Sequence, residues 1–297
     1  MLFGGIEAGG TKFVCAVGDE KKNAIKRTQI PTTIPEETLA RVIRFFEGFE
    51  LDAIGIGSFG PADVHPKSPT YGMLTTTPKT AWRNVPLMQR IHDRFRVPVG
   101  FQTDVNAAAL GEAAFGAAQG LDSCLYITVG TGIGAGAVIH EKLLHGLSHP
   151  EMGHILVRRH PNDEYPGRCP YHQDCLEGLA SGPAIEDRWG EKGVLLKERE
   201  EVWKLEGYYI AQALMQYILI LSPQKVILGG GVMKQELIWV HIRQYLKELL
   251  NDYIDFPQLS SRMDDYIVPP QLGDDAGVKG ALVLADQARQ EAKGRGD

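Results

Sequence analysis

LFGGIEAGGTKFVCAV, residues 2–17, reads as a strand, a glycine turn and a second strand. Taken alone it fits a plain hairpin better than a ligand-binding turn, because glycine turns are common in hairpins. At Gly9-Gly10 the backbone can turn tightly and bring bare N–H groups close to an anion, with the Thr11 hydroxyl and the Lys12 cation beside them. The unit recurs. DSCLYITVGTGIGAGAVI, residues 122–139, is again strand, Gly/Thr turn and strand. Residues 6–17 and 127–138 superpose without gaps at a shift of 121, so that Gly9 falls on Gly130, Ala16 on Ala137 and Val17 on Val138. Two such units, each near the start of an α/β half, predict a duplicated fold with a nucleotide clasped between the halves.

The bulk composition allows this. At 297 residues the chain can form one large domain or two moderate ones, each with its own core. A formal net charge of −6 argues against a nucleic-acid surface, which neutralises phosphates with Lys and Arg. There is neither a long apolar run nor a charged leader followed by an apolar stretch, so a cytoplasmic protein without membrane contact is expected. The 4 cysteines are too few for a disulfide scaffold. Cys15 and Cys124 lie in apolar strand-like runs and are expected to be buried.

Between the two hairpins, residues 23–30 suit a third strand and residues 35–49 an amphipathic helix with Pro35 at its start. LDAIGIGSFGPAD (51–63) contains Gly55-x-Gly57-x-x-Gly60, a spacing shared with dinucleotide fingerprints. That reading fails because Pro61 follows at once, where a helix N-terminus would have to hold a pyrophosphate. A strand ending in a loop beside a ligand is the better reading. Residues 86–95 read as helix and 97–101 as a short strand. In QTDVNAAALGEAAFGAA (102–118), Asp104 stands where a strand gives way to an Ala-rich helix. Either Thr103 or Asp104 could cap that helix. Alternatively, Asp104 is an acceptor aimed at a ligand from a strand's carboxyl end, with Asn106 close by.

HPEMGHILVRRHPNDEYPGRCPYHQDCLEGLAS (149–181) carries His154, Cys169, His172 and Cys175 as H-x14-C-x2-H-x2-C. Two thiolates and two imidazoles in a loop punctuated by Pro and Gly suit tetrahedral zinc. A Cys169–Cys175 disulfide competes with that reading. Because 6 of the 9 histidines fall between His140 and His172, His149 or His160 could replace a named ligand.

Further on, Pro183 sits early in a helix (181–190), and 198–222 is the longest helical stretch. KVILGGGVM (225–233) is a strand followed by three glycines, where a flat ring or a phosphate could lie against the backbone, and an amphipathic helix then runs to about residue 250. Residues 272–290 form a last helix, expected to be capped by Asp274 or Asp275. The expected organisation is a smaller α/β domain, 1–117, with a C-terminal helix at 276–297 packing back on it, and a larger α/β domain, 118–275, carrying the zinc loop.

In this order the segments resemble the ROK family of bacterial sugar kinases, within the actin/hexokinase-like ATPase superfamily. The resemblance spans nearly the whole chain: residues 5–12 and 130–136 for the two phosphate hairpins, 57–61, 104–112 and Glu151-x-Gly153-His154 on the sugar side, 169–177 for the zinc segment and 229–231 on the adenosine side. It implies an α/β protein of two duplicated ribonuclease-H-like (actin-like ATPase) domains, with a cleft between them and a zinc-bound loop. Glu7 in place of Asp, Thr103 in place of Asn, and His172 in place of a cysteine look like the fructokinase branch.

The activity so implied is transfer of the ATP γ-phosphoryl group to a hexose, foremost the 6-hydroxyl of fructose, with Mg2+ on the phosphates and Asp104 as general base. Mannose, glucose and N-acetylmannosamine are the alternative acceptors. On the nucleotide side the resemblance puts Gly9, Gly10, Thr11 and Lys12 of the first hairpin and Gly130, Thr131 and Gly132 of the second. Pro183 joins them, followed by Gly229, Gly230, Gly231, Val232, Met233, Lys234 and Gln235. On the sugar side it puts Gly60, Pro61, Thr103, Asn106, Glu151 and His154. His154, Cys169, His172 and Cys175 would hold a structural zinc, and a homodimer is implied. Two other classes compete. A sugar-sensing repressor would need a helix-turn-helix ahead of the first hairpin, which starts at residue 2. A zinc hydrolase would need an open coordination position, which four protein ligands do not leave.

Overall fold

The computed structural model describes residues 1–294. Among the described residues ten strands and ten α-helices follow one another in two rounds. The first round is β1 (Phe3–Ala8), β2 (Lys12–Gly18), β3 (Ala24–Pro31), α1 (Pro35–Phe46), β4 (Ala53–Ser58), α2 (Leu87–Phe95), β5 (Val99–Thr103) and α3 (Asp104–Phe115). The second has β6 (Cys124–Val129), β7 (Ile133–Ile139), β8 (Lys142–Leu143), α4 (Leu176–Ala180), α5 (Gly182–Trp189), α6 (Glu200–Leu221), β9 (Val226–Gly229), α7 (Glu236–Leu250), α8 (Pro257–Ser260), α9 (Met263–Tyr266) and β10 (Ile267–Val268). Helix α10 (Ala276–Gly294) closes the chain. The expected helix end at 295–297 lies outside the described residues.

The duplication is present in the strands themselves. The bounds of β6 and β7 are those of β1 and β2 moved by 121 residues. The sheets are ordered β3-β2-β1-β4-β5 and β10-β9-β6-β7-β8, which is the same order once the second set is renumbered from β6. In each, the third strand of its round lies antiparallel to the second, while the fourth and fifth run parallel as helix-connected crossovers. The chain divides into two compact units. One comprises Met1–Gly120, Gly136–Pro150 and the segment from Gln271 onward; the other comprises Leu121–Ala135 and Glu151–Pro270.

In the first unit, alternation along β1, β2 and β4 sends Ile6, Phe13, Cys15, Ile54 and Ile56 into a core closed by Leu39, Val42 and Phe46 of α1 and by Trp82. On the sheet's other side lies α10. Gly5, Gly55 and Gly100 are register partners across β1, β4 and β5. A Cβ at Gly55 would fall 1.9 Å from the Ala281 carbonyl oxygen, and one at Gly100 would fall 2.6 Å from that of Leu284. The glycine row is therefore the bed on which the helix lies. Gly57 gives the same clearance to Ala107 of α3. Gly55 and Gly57 of the rejected fingerprint thus serve helix packing, and the chain after Gly60 continues through a cis bond to Pro61 without a helix.

Three boundaries differ from expectation. The strand read at 97–101 runs Val99–Thr103, because pairing with β4 carries it on to Thr103 opposite Ser58. The Ala-rich helix read from about Asp104 within 102–118 spans Asp104–Phe115, ending where Gly116, at φ −122° and ψ −143°, leaves the helical region. The helix read at 272–290 begins at Ala276, and Asp274 and Asp275 lie in the 3-10 turn Gly273–Asp275 that leads directly into it. Cys15 and Cys124 are buried in strands, and all four cysteines are free thiols, so the disulfide reading of Cys169 and Cys175 falls.

Candidate active site

In the first unit, β5 delivers Thr103 and Asp104 to the end of the sheet. Thr103 is the N-cap of α3: its Oγ1 accepts the Asn106 N–H at 3.3 Å. Asp104 is the first helical residue, and its Oδ1 accepts the Val105 N–H at 2.9 Å. A carboxylate at this position gains from the helix's positive end. Thr103 Oγ1 also lies 3.5 Å from His149 Nδ1. His149 is buried, and burial together with nearby His145 lowers its pKa to about 4, so the ring is neutral at pH 7. Asn106 is only 1% exposed; its amide donates to Gln102 Oε1 at 3.0 Å, and its own Oδ1 has no partner among the described residues.

The first hairpin turn lies in the same unit. Gly9 N–H donates to the Lys12 carbonyl at 3.0 Å, and a Cβ there would fall 2.6 Å from that oxygen. Thr32 Oγ1 donates to the Gly9 carbonyl at 2.7 Å. Thr11 and Lys12 are exposed at the tip. Glu7, on β1, points a buried Oε2 with no partner among the described residues. Burial, with Asp104 adding to it and Lys12 and Arg27 opposing, pushes its carboxyl up to about 7. The Gly60-Pro61 loop is held by Pro61's carbonyl, which accepts the Thr75 N–H at 2.9 Å and Thr75 Oγ1 at 3.0 Å.

The second unit contains a cavity of about 410 Å3. Gly130, Thr131, Pro183, Gly231, Val232 and Gln235 line it, as do Gly182, Ile185, Glu186, Lys192, Gly193, Val194 and Trp203. The Gly182 N–H donates to the Gly130 carbonyl at 2.7 Å, which joins the second hairpin turn to the start of α5. Ser181 Oγ caps that helix through the Ala184 N–H. Apolar Ile185, Val194 and Trp203 opposite glycine backbone suit a flat ring, with Glu186, Lys192 and Gln235 as polar groups around it. Glu186, Lys192, Val194 and Trp203 belong to no motif in the sequence; only their closeness to Pro183 and α6 marks them. Gly132, Gly229, Gly230, Met233 and Lys234 do not line the cavity. Gly230 takes φ +93° and passes against Val129, where a Cβ would fall 2.3 Å from the carbonyl oxygen. Met233 is buried and its carbonyl accepts the Trp239 indole N–H at 3.0 Å.

The same unit brings His154, Cys169, His172 and Cys175 together, with one ligand atom from each lying within 4.8 Å of all the others. His154 Nδ1 is 3.5 Å from Cys175 Sγ and 3.7 Å from Cys169 Sγ; His172 Nδ1 is 3.7 Å from Cys169 Sγ. The Cys169 and Gln173 backbones exchange hydrogen bonds around a tight turn, and Cys175 starts α4. His149 and His160 stand apart from the cluster, His149 against Thr103 and His160 edge-on to Tyr208. His154 shares a 3-10 turn with Glu151, whose carbonyl accepts the His154 N–H at 3.0 Å. Burial raises the Glu151 pKa, opposed by His154 and assisted by Glu177. Glu177 in turn accepts the Ile133 N–H at 2.9 Å, at the start of β7. The loop between the ligands is anchored by Arg188 of α5, which meets Asp163 at 3.1 Å and Glu206 at 3.0 Å with all three side chains buried.

Comparison with known proteins agrees with this arrangement. Residues 3–288 match the profile of the ROK family. The chain is 61% identical over 296 residues to a protein of Bacillus subtilis (strain 168), covering 100% of this chain and 99% of that one. It is 44% identical over 292 residues to the fructokinase of Pediococcus pentosaceus, covering 98% and 100%. Among solved structures, a ROK family glucokinase from Streptomyces griseus in complex with glucose and AMPPNP superposes with a TM-score of 0.76 at 28% identity, covering 97% of this chain and 100% of that one. The duplicated sheets, the paired glycine turns and the match over residues 3–288 lead to one conclusion: the chain belongs to the ROK family.

Proposed function

We propose that the chain is an ATP-dependent fructokinase that phosphorylates the 6-hydroxyl of D-fructose, with Asp104 as general base. The observation that carries this is the position of Asp104. It stands at the carboxyl end of β5 as the first residue of α3, while the capping role is filled by Thr103. The similarity to the Pediococcus pentosaceus fructokinase over the full chain supports fructose as the acceptor.

The first unit carries the acceptor chemistry. Asp104 takes the hydroxyl proton as the oxygen attacks the γ-phosphorus, the bond to the β-γ bridging oxygen breaks, and ADP leaves. Thr103, Asn106 and the Gly60-Pro61 loop shape the sugar side, Asn106 through its unused Oδ1. Gly9, Gly10, Thr11 and Lys12 meet the phosphates. The second unit's cavity takes the adenosine, with Gly130, Thr131, Pro183, Gly231 and Gln235 against it. Glu151 and His154 complete the sugar contacts. Mg2+, when bound, would offset the charge of the β- and γ-phosphates, and Glu7, whose Oε2 has no partner among the described residues, is the carboxylate beside the first hairpin that would face it, leaving Asp104 as the base.

Zinc suits the four-ligand cluster. Sulfur at about 2.3 Å and nitrogen at about 2.0 Å in a tetrahedron stand about 3.3–3.8 Å apart; three of the sulfur–nitrogen separations are 3.5, 3.7 and 3.7 Å, and all four ligand atoms lie within 4.8 Å of one another. Four protein ligands leave no place for a water, so the metal holds the loop and performs no chemistry. The reading includes a cytoplasmic homodimer, which light scattering on the purified chain tests. Among the described residues no helix is long and apolar enough to cross a membrane. The activity is tested by coupled detection of ADP with fructose, mannose, glucose and N-acetylmannosamine. Fructose is expected to give the highest kcat/KM; absence of sugar-dependent ADP release with all four would refute the kinase.

A further inference from the structure

We infer that Glu112 is a positioning residue, tying two of the passages of chain between the compact units to the helix that begins with Asp104. These passages follow Gly120 and precede Gln271. Glu112 lies on α3 and is fully buried. Its Oε2 accepts the Ala117 N–H at 2.7 Å and the Gln271 N–H at 3.2 Å, and its Oε1 accepts the Leu272 N–H at 2.9 Å. Its backbone carbonyl accepts two more, from Gly116 at 3.0 Å and Ala118 at 3.1 Å. One residue thus holds the outgoing chain at 116–118 and the returning chain at 271–272. A Cβ on Gly116 would fall 2.1 Å from Glu112 Oε2, so the carboxylate reaches its partners through space that only glycine leaves.

The helix is a stiff link to the chemistry. Eight residues of α-helix separate Glu112 from Asp104, about 12 Å along the axis. On its other flank α3 touches α10 at backbone distance: a Cβ on Gly111 would fall 2.3 Å from the Ala276 carbonyl oxygen, and one on Gly280 would fall 1.6 Å from that of Ala107. A shift of the chain at 116–118 or 271–272 is therefore carried by Glu112 into the helix and to Asp104. The carboxylate is suited to this because both oxygens only accept, and bonds to an ionised acceptor are the stronger kind. A glutamine of the same shape must turn its NH2 toward backbone N–H donors, which removes either the bond from Leu272 or those from Ala117 and Gln271.

The inference rests on Asp104 being the base, and its test separates the two. The full chain, Glu112→Gln, Glu112→Asp, Asp104→Asn and the Glu112→Gln/Asp104→Asn double variant are compared by kcat, fructose affinity, melting temperature and amide hydrogen exchange. Expected in Glu112→Gln is faster exchange confined to 116–118 and 271–272, with kcat lowered about tenfold or more by misplacement of the base and fructose affinity kept. The double variant is expected to be no slower than Asp104→Asn alone, because Glu112 acts through Asp104. Unchanged exchange in both segments, unchanged kcat with faster exchange, or multiplying losses in the double variant would each overturn the inference. If Glu112→Gln does not fold, Glu112→Asp decides on the same readouts. If Asp104→Asn keeps full kcat, the base assignment falls, and the exchange data still decide whether Glu112 holds both segments.

Discussion

Thr103 caps the helix that Asp104 begins, its Oγ1 accepting the Asn106 N–H at 3.3 Å. The cap is thus supplied by Thr103, a duty that aspartate often performs at helix starts, while Asp104 Oδ1 accepts the N–H of Val105 at 2.9 Å. Thr103→Val keeps the shape and removes the acceptor. It is expected to lower stability by about 1 kcal/mol, the usual worth of a cap. Urea unfolding of the two proteins measures this, and equal midpoints would show that the cap contributes nothing.

Glu7 sets a pH dependence of stability. Its carboxyl titrates near 7 in the folded chain, against an ordinary value of 4.5, because burial and the nearby Asp104 disfavour its charge. Folding therefore takes up a proton between those values, so this group's contribution falls as pH rises from 4.5 to about 7 and is constant above. Glu7→Gln removes the contribution. The drop in melting temperature from pH 5 to pH 8 is expected to be smaller in the variant than in the parent; the same drop in both would mean that Glu7 ionises normally.

Gly55→Ala is expected to be severely destabilising, by about 3 kcal/mol or more, since overpacking here cannot be relieved by a side-chain rotation. The new methyl would stand 1.9 Å from the Ala281 carbonyl oxygen, and α10 would have to lift off the sheet. Thermal melting and soluble yield report it, and a near-parental melting temperature would show that α10 is not seated on the glycine row.

The repeat at a shift of 121 made both hairpins legible, because a strand and its turn are written in local pattern: apolar alternation, then glycine. The capping choice at Thr103 and Asp104 was not legible, since both residue types cap and only the backbone angles decide between them. The purpose of Gly55, Gly57 and Gly100 was hidden for another reason. It depends on α3 and on α10, which follows Gly55 by more than two hundred residues. The two-residue strands β8 and β10 are too short to carry a period. In the cavity of the second unit the glycines and Pro183 stood out by type, whereas Lys192 and Val194 sit in an exposed stretch with no pattern. The four candidate ligands were legible as a spacing, with His154 preferred to His149 and His160 because it ends Glu151-x-Gly153-His154, and the coordinates bring these four together.

Removal of the proposed zinc tests the link between the loop and the proposed sugar side. His154 and Glu151 share one 3-10 turn, so loss of the ligand bond is expected to loosen Glu151. Chelation should lower the melting temperature and raise KM for fructose, with zinc restoring both and metal content followed by elemental analysis. A metal-free chain with unchanged melting and unchanged KM would show that the loop and the sugar side are independent.

The most direct measurement is kcat of Asp104→Asn beside its fructose affinity. The variant keeps the size of the side chain at the head of α3 and removes the proton acceptor. The account predicts a fall in kcat of about 100-fold or more, the usual worth of a general base, with fructose still bound. A fall of less than about tenfold, at unchanged fructose affinity, would contradict Asp104 as the base.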